Sequence, residues 1–255
     1  MFQRQLKFQL VQIFLLIFNL NCSNIHFLSI KDFQKEKLKY RFSFFIFRKA
    51  AVVKIKFKKI GNNTYMAELN GKTCGIIGLF TAFRKDKYVS FMKYDEKLKR
   101  FIPIKFIKKT QINKKTRESE YFFDFEHGWI KKVIKKFKNG KLIKRKEYVI
   151  FLNSLCDDYL TAIYNFRMGV YGFPEKNNEV MIKVFPEKRK KNRFIRIFLI
   201  KKYKDKFLLK AKIFKDIVKT KRDEIEGVID TKMVPLEGIL PGVPIFGDIK
   251  AYIMR

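Results

Sequence analysis

Val53-Lys54-Ile55-Lys56-Phe57-Lys58 places an apolar residue at every second position and a lysine at each position between. A β-strand turns successive side chains to opposite faces, so this run sorts itself into an apolar face and a cationic face. A helix would mix the two. Gly61-Asn62-Asn63 follows as a turn and Thr64 to Leu69 reads as the returning strand. Asn70-Gly71, which tolerates positive φ at both central positions, reads as the next tight turn.

The same period recurs outward from that run. Tyr121, Phe123 and Phe125 share one parity while Asp124 and Glu126 take the other. Asn139-Gly140 predicts a two-residue hairpin turn with Lys138 opposite Lys141 and Phe137 opposite Leu142. Arg193 to Ile200 and Phe207 to Phe214 are two more strands, parted by the polar turn Lys201 to Lys206. Pro235, Pro241 and Pro244 predict a loop, since each removes a backbone donor, and Phe246 to Ile253 a closing strand. Only between Ser154 and Gly169 does the period change to that of a helix. There Leu155, Tyr159, Ile163 and Phe166 fall on one side, Ser154 stands at the start and Gly169 at the end. The expected fold is mainly β, a curved antiparallel sheet or half-barrel with one packed helix near residues 155–168.

Ahead of this domain, Leu10 to Phe18 is a nearly unbroken apolar run behind Arg4 and Lys7, followed by the polar step Asn19 to Asn24. That three-part layout is the pattern of an export signal over residues 1–24, with residues 25–255 forming a single mainly-β domain. The run is short of the roughly 20 apolar residues of a membrane helix. A buried N-terminal helix is the alternative. There is no Ala-x-Ala cleavage triplet, and Asn19 stands where a cysteine lipidated at Cys22 would have a leucine upstream.

The net charge is +34 over 255 residues, and 45 of the 58 basic residues are lysine. Such a field attracts polyanions. Lysine suits a solvated, general attraction to anions, where arginine would suit bidentate recognition of phosphate or guanine. Lys54, Lys56 and Lys58 are the expected anion-contacting row. An AT-rich genome would also favour lysine, isoleucine and phenylalanine, so composition alone does not select a ligand. The aromatics keep strand parity with Ile, Leu and Val, which places them in the core rather than on a stacking surface for single-stranded nucleic acid.

Catalytic groups are scarce. His26 and His127 are the sole histidines, and neither sits in a nucleophile elbow or a metal-spaced cluster, so no catalytic residue, metal ligand or cofactor site is expected. His127 before Gly128 reads as a turn residue. Asp157 and Asp158 are adjacent and therefore diverge on a helix, where acids of a first turn are explained by the dipole. If Cys22 leaves with the signal, Cys74 and Cys156 remain; an exporting pathway would permit them to bridge, and buried free thiols are the other reading.

Three pieces of the chain, in order, resemble the bacterial exported proteins grouped as the domain of unknown function 3108 family. They are Tyr88-Val89-Ser90 with Asp95, Arg100-Phe101 and Pro103; the stretch Asp157 to Arg167; and Val234-Pro235 with Phe246 to Ala251. The pieces span roughly residues 40 to 255. The chain departs from the family in its lysine load and in Thr161, where serine is more usual. The resemblance implies an exported protein of antiparallel, curved β architecture without established activity, and carries over no catalytic residue. The resulting expectation is a non-enzymatic, periplasmic or envelope-associated protein that binds anionic lipid, another envelope polyanion, or an apolar ligand in the sheet's concavity, with no nucleic acid. The alternative is a basic nucleic-acid-binding protein of the cytosol.

Overall fold

The computed structural model describes residues 25–34, 36–186, 193–213, 223–243 and 247–254. The expected export signal, Cys22, Phe214, Pro244 and Phe246 lie outside them. The described residues form 14 strands and three helices. In chain order these are α1 (Ile30–Phe33), β1 (Lys37–Phe44), β2 (Phe47–Gly61), β3 (Thr64–Thr73), α2 (Gly75–Phe80), β4 (Lys85–Asp95), β5 (Arg100–Ile112), β6 (Lys115–Asp124), β7 (Trp129–Lys138) and β8 (Lys141–Phe151). They continue with α3 (Tyr159–Arg167), β9 (Val180–Val184), β10 (Arg193–Lys202), β11 (Lys206–Lys212), β12 (Glu224–Asp230), β13 (Pro235–Val243) and β14 (Gly247–Ile253).

All strands join one antiparallel sheet in the order β8-β7-β6-β5-β4-β3-β2-β1-β14-β13-β12-β11-β10-β9. Two meanders thus meet where β1 pairs with β14. The sheet is curled rather than flat. Phe185, just after β9, packs its ring 4.7 Å from Tyr121 and 5.7 Å from Phe106, so the β9 margin rolls onto the inner face of β5 and β6. Its backbone edge is covered by the chain itself: Asp157 donates its N–H to the Lys183 carbonyl and accepts from the Phe185 N–H.

The alternation in β2 is realised. Lys54, Lys56 and Lys58 are exposed, while Phe57 is 3% exposed and packs against Phe101, Tyr65 and Tyr164 with ring centroids 4.6–5.6 Å apart. Fully burying one such ring contributes ~1.5–3 kcal/mol. Helix α3 lies in the concavity against β3, β4, β5 and β9, joining a core of Phe33, Phe57, Phe101, Phe106, Tyr121 and Phe185 to a second one of Val180, Ile197, Phe207 and Ile229. Gly169 caps it in the left-handed region at φ +79°. The hairpin at Asn139-Gly140 has the expected register, Lys138 opposite Lys141 and Phe137 opposite Leu142.

Four local expectations are corrected. Asn70 and Gly71 lie inside β3 rather than in a turn, because β3 continues in register with β2 and β4 to Thr73. Pro235 and Pro241 sit in β13, next to register irregularities where the ladder tolerates a missing donor. The N-cap of α3 is Asp158 and not Ser154; of the expected face, Tyr159 and Phe166 pack into the core while Leu155 and Ile163 are exposed, and the helix also buries Leu160, Ala162 and Tyr164. Cys74 and Cys156 do not bridge: both are free, with Cys156 in the main core and Cys74 at the N-cap of α2 on the sheet's outer side.

Candidate functional site

Cross-strand pairing carries side chains of one parity across the outer face of β1 to β5. Lys39, Lys54, Asn70, Lys87 and Lys109 are successive register partners, so they form one row across five strands. Val52, Lys72, Lys85 and Gln111 form the adjacent row. Neighbouring strands are about 4.8 Å apart and alternate residues on one strand about 6.6 Å, so Lys54, Lys72, Lys85 and Lys87 occupy a patch on the order of 10 Å across. Between the rows runs a groove of about 410 Å³, floored by Val52 and Gly71. A second hollow of about 450 Å³, bounded by Lys39, Lys49, Cys74 and Gly75, shares Val52, Lys54 and Lys72 with it.

Charge is balanced unevenly over this face. Toward β8, Lys105 and Lys135 grip Glu120 and Lys131 holds Glu147 at 2.9 Å. Toward β9, Arg196 meets Glu179 at 2.7 Å and Lys210 meets Glu224 at 3.3 Å. In the groove Lys87 pairs with Glu68 at 3.0 Å, and Lys109 stands 3.9 Å from Glu118. The groove's own carboxylate, Asp86, is taken by Arg84 and by the Thr110 hydroxyl, each at 2.7 Å. Among the described residues, Lys39, Lys49, Lys54, Lys72 and Lys85 have no ion-pair partner. Like charges held this close repel one another, and a bound anion would relieve the repulsion.

The sequence-based row is split by the fold. Lys54 lies in the groove between Lys39 and Asn70. Lys56 faces Glu68, whose carboxyl is held below the usual range by the Asn70 amide first, then by Lys87 and Lys56. Lys58 faces Met66, outside the groove lining. Lys39, Lys72, Lys85 and Lys87 were not anticipated, although Lys37-Leu38-Lys39 and Lys85-Asp86-Lys87 repeat the lysine alternation of β2.

A second polar cluster lies on the inner face, sealed under α3. Asp158 is fully buried and caps the helix, accepting N–H groups of Leu160 and Thr161 at 2.9 and 3.1 Å and hydroxyls of Ser90 and Thr161 at 2.6 and 2.7 Å. Burial pushes its carboxyl up to about 6, against the opposing pull of those donors. Asp157 turns the other way, as adjacent residues must, to Arg100 at 2.6 Å, the Asn165 amide at 2.8 Å and the Tyr171 hydroxyl. Burial raises its carboxyl too, the Arg100 guanidinium opposing. Asn165 also exchanges hydrogen bonds with the backbone of Phe101 at 2.8 and 2.9 Å. With both carboxylates buried, the cluster pins α3 to β4 and β5. His127 does meet Asp124, at 2.9 Å, but on an open turn where the imidazole is 68% exposed.

The concavity in which an apolar ligand was expected is filled, among the described residues, by α1, α3 and the aromatic core. No described helix is long and apolar enough to cross a membrane. No described group of three or more His, Cys, Asp or Glu side chains is arranged to hold a metal ion.

Fold and groove together define a curled antiparallel β protein with a cationic outer hollow. No family model matches the chain and no curated protein matches it. Among solved structures it is similar to one described as a beta-barrel-like protein of domain of unknown function DUF1849 from Brucella abortus. The two share 13% identity and a TM-score of 0.47, over 86% of this chain and 95% of that chain. That domain is a different one from the domain of unknown function 3108 family expected from the sequence.

Proposed function

We propose that the chain is an exported, envelope-associated binding protein that holds an anionic envelope component, such as a lipid headgroup or an acidic polymer, against the lysine groove of β1 to β5. The observation that carries this reading is the cluster of Lys39, Lys49, Lys54, Lys72 and Lys85 without ion-pair partners among the described residues, on a face where Lys87, Lys105, Lys131 and Lys135 are matched to glutamates. Lysine ammoniums are strongly hydrated point charges, which fits attraction to a repeating or fluid anionic surface better than recognition of one rigid group. The reading is of binding rather than catalysis, because the buried carboxylates are committed to holding α3. The filled concavity favours the anionic over the apolar ligand.

Export is supported by the Arg4, Lys7 and Leu10–Phe18 layout. Its test is the mass of the protein recovered from cells: loss of about the first two dozen residues is expected of a cleaved signal. A full-length chain in the cytosol would favour nucleic acid as the polyanion. Binding is tested by co-sedimentation with vesicles. Zwitterionic vesicles should leave the protein in solution and vesicles containing anionic lipid should carry it down, an effect that weakens with salt. Equal recovery with both would remove the electrostatic basis of the reading.

A further inference from the structure

The two margins of the sheet are treated differently. The β9 edge is covered by Asp157 and rolled inward, whereas among the described residues no strand pairs with the outer edge of β8. Strand β8 is 11 residues long, and only Ile150 in it is buried. Its one register shift lies beside Phe137 and Leu142 at the hairpin end, so Lys144 to Phe151 is regular strand. A long, regular, bare edge is a template for another strand. Apolar side chains stand open on it: Ile143 is 61% exposed, Val149 45% and Phe151 82%.

The charge along the edge narrows what can pair there. Lys144, Arg145 and Lys146 are consecutive, so both faces of the strand are cationic at its centre. Glu147, the strand's single acid, is already held by Lys131 at 2.9 Å and by Arg145. Lys144 and Lys146 have no ion-pair partner among the described residues. An antiparallel pairing of two copies through this centre would set cations opposite cations on both faces, which disfavours self-association. A strand with acids at its centre and apolar residues at its ends would instead match the cations at the middle and Ile143, Val149 and Phe151 at the flanks.

We propose that the free edge of β8 receives an extended, acidic-centred segment of a partner protein as an additional antiparallel strand. The site is separate from the groove of β1 to β5 and does not depend on the groove's function. The probe is a labelled synthetic peptide as long as β8, with three central glutamates flanked by valine and isoleucine, measured by fluorescence anisotropy on the intact chain. Two comparison peptides have prolines at alternate flanking positions, or lysines in place of the glutamates. Amide hydrogen exchange locates the contact.

The glutamate peptide should bind and slow exchange in β8. The proline peptide has the same charge but cannot complete a ladder, and it should fail. Replacing Lys144→Glu and Lys146→Glu should weaken binding roughly tenfold or more, since each attraction becomes a repulsion. A single Lys146→Gln should weaken it a few-fold while leaving the strand's fold alone. Lys54→Gln with Lys72→Gln should change nothing. Equal binding of the proline peptide, protection in β2 to β4 rather than β8, or a dimer of the chain formed through β8 would each overturn the proposal.

Discussion

Replacing Asp158→Asn should remove a pH dependence of stability that the native fold carries. Asp158 is fully buried, and its carboxyl is raised from 3.8 to about 6, with burial the largest cause. A folded pKa above the unfolded one means that unfolding releases a proton between those values. The group's contribution is therefore fully present below pH 3.8 and lost as pH rises through about 6. A shift of about two units at 1.36 kcal/mol each corresponds to roughly 3 kcal/mol lost between pH 4 and pH 7. An asparagine amide has the same shape, accepts the Leu160 and Thr161 N–H groups, and donates to the hydroxyls of Ser90 and Thr161, which can turn to accept. It does not titrate. The assay is urea unfolding of both proteins at pH 4.5 and 7.0, read as the change in their stability difference, in which most other carboxylates and the chain's general charge cancel. The variant should gain on the native protein by about 2–3 kcal/mol on going to the higher pH. A difference that stays constant with pH would refute the reasoning, because it would mean that Asp158 is already charged in the folded protein over that range, as it is in the unfolded chain.

Arg167 is 2% exposed, donates from both terminal guanidinium nitrogens to Glu36 and from Nε to the Met233 carbonyl, and stacks over Phe33 at 5.0 Å. Arg167→Met alone strands a buried carboxylate and should cost about 3–5 kcal/mol in urea unfolding, whereas Arg167→Met with Glu36→Gln should recover a good part of it. Gly169→Ala places a Cβ 2.7 Å from the Phe27 ring at φ +79°, and should cost more than ~1 kcal/mol, whereas Gly140→Ala, at φ +78° with open space, should cost only the backbone term of about 1 kcal/mol. In the vesicle assay, Lys54→Gln should weaken binding more than Lys56→Gln, because Lys56 already faces Glu68. Equal losses would argue for a diffuse surface effect.

Strand period is a local property, which is why Val53 to Lys58 and the Asn139-Gly140 hairpin could be read without the fold. Asn70-Gly71 misled because a dipeptide able to turn also survives inside a strand when both neighbours hold it in register, as β2 and β4 do. The helix was placed correctly, but its buried face only in part, since Tyr159 and Phe166 pack inward while Leu155 and Ile163 do not. Thr161, Asn165 and Arg167 are buried polar residues whose partners, Ser90, the Phe101 backbone and Glu36, lie 64 to 131 positions away in sequence. Apolar periodicity cannot detect a face made of such pairs. The groove shows the same limit: Lys54, Lys72 and Lys85 are brought together by register between three strands, and only Lys54 could be singled out along its own strand. For Cys74 and Cys156 the sequence leaves a bridge and free thiols equally open, because it carries no spatial information, and they reside in different parts of the molecule.

The most direct measurement compares two charge-matched triple variants for binding to vesicles containing anionic lipid. One is Lys54→Gln, Lys72→Gln and Lys85→Gln in the groove; the other is Lys201→Gln, Lys204→Gln and Lys206→Gln at the exposed β10–β11 turn. Each lysine near an anionic surface adds about 1 kcal/mol, so the groove variant should lose roughly a hundredfold in partitioning while the turn variant stays near the native value. Equal losses from the two would mean that net charge, and not the groove, holds the anion.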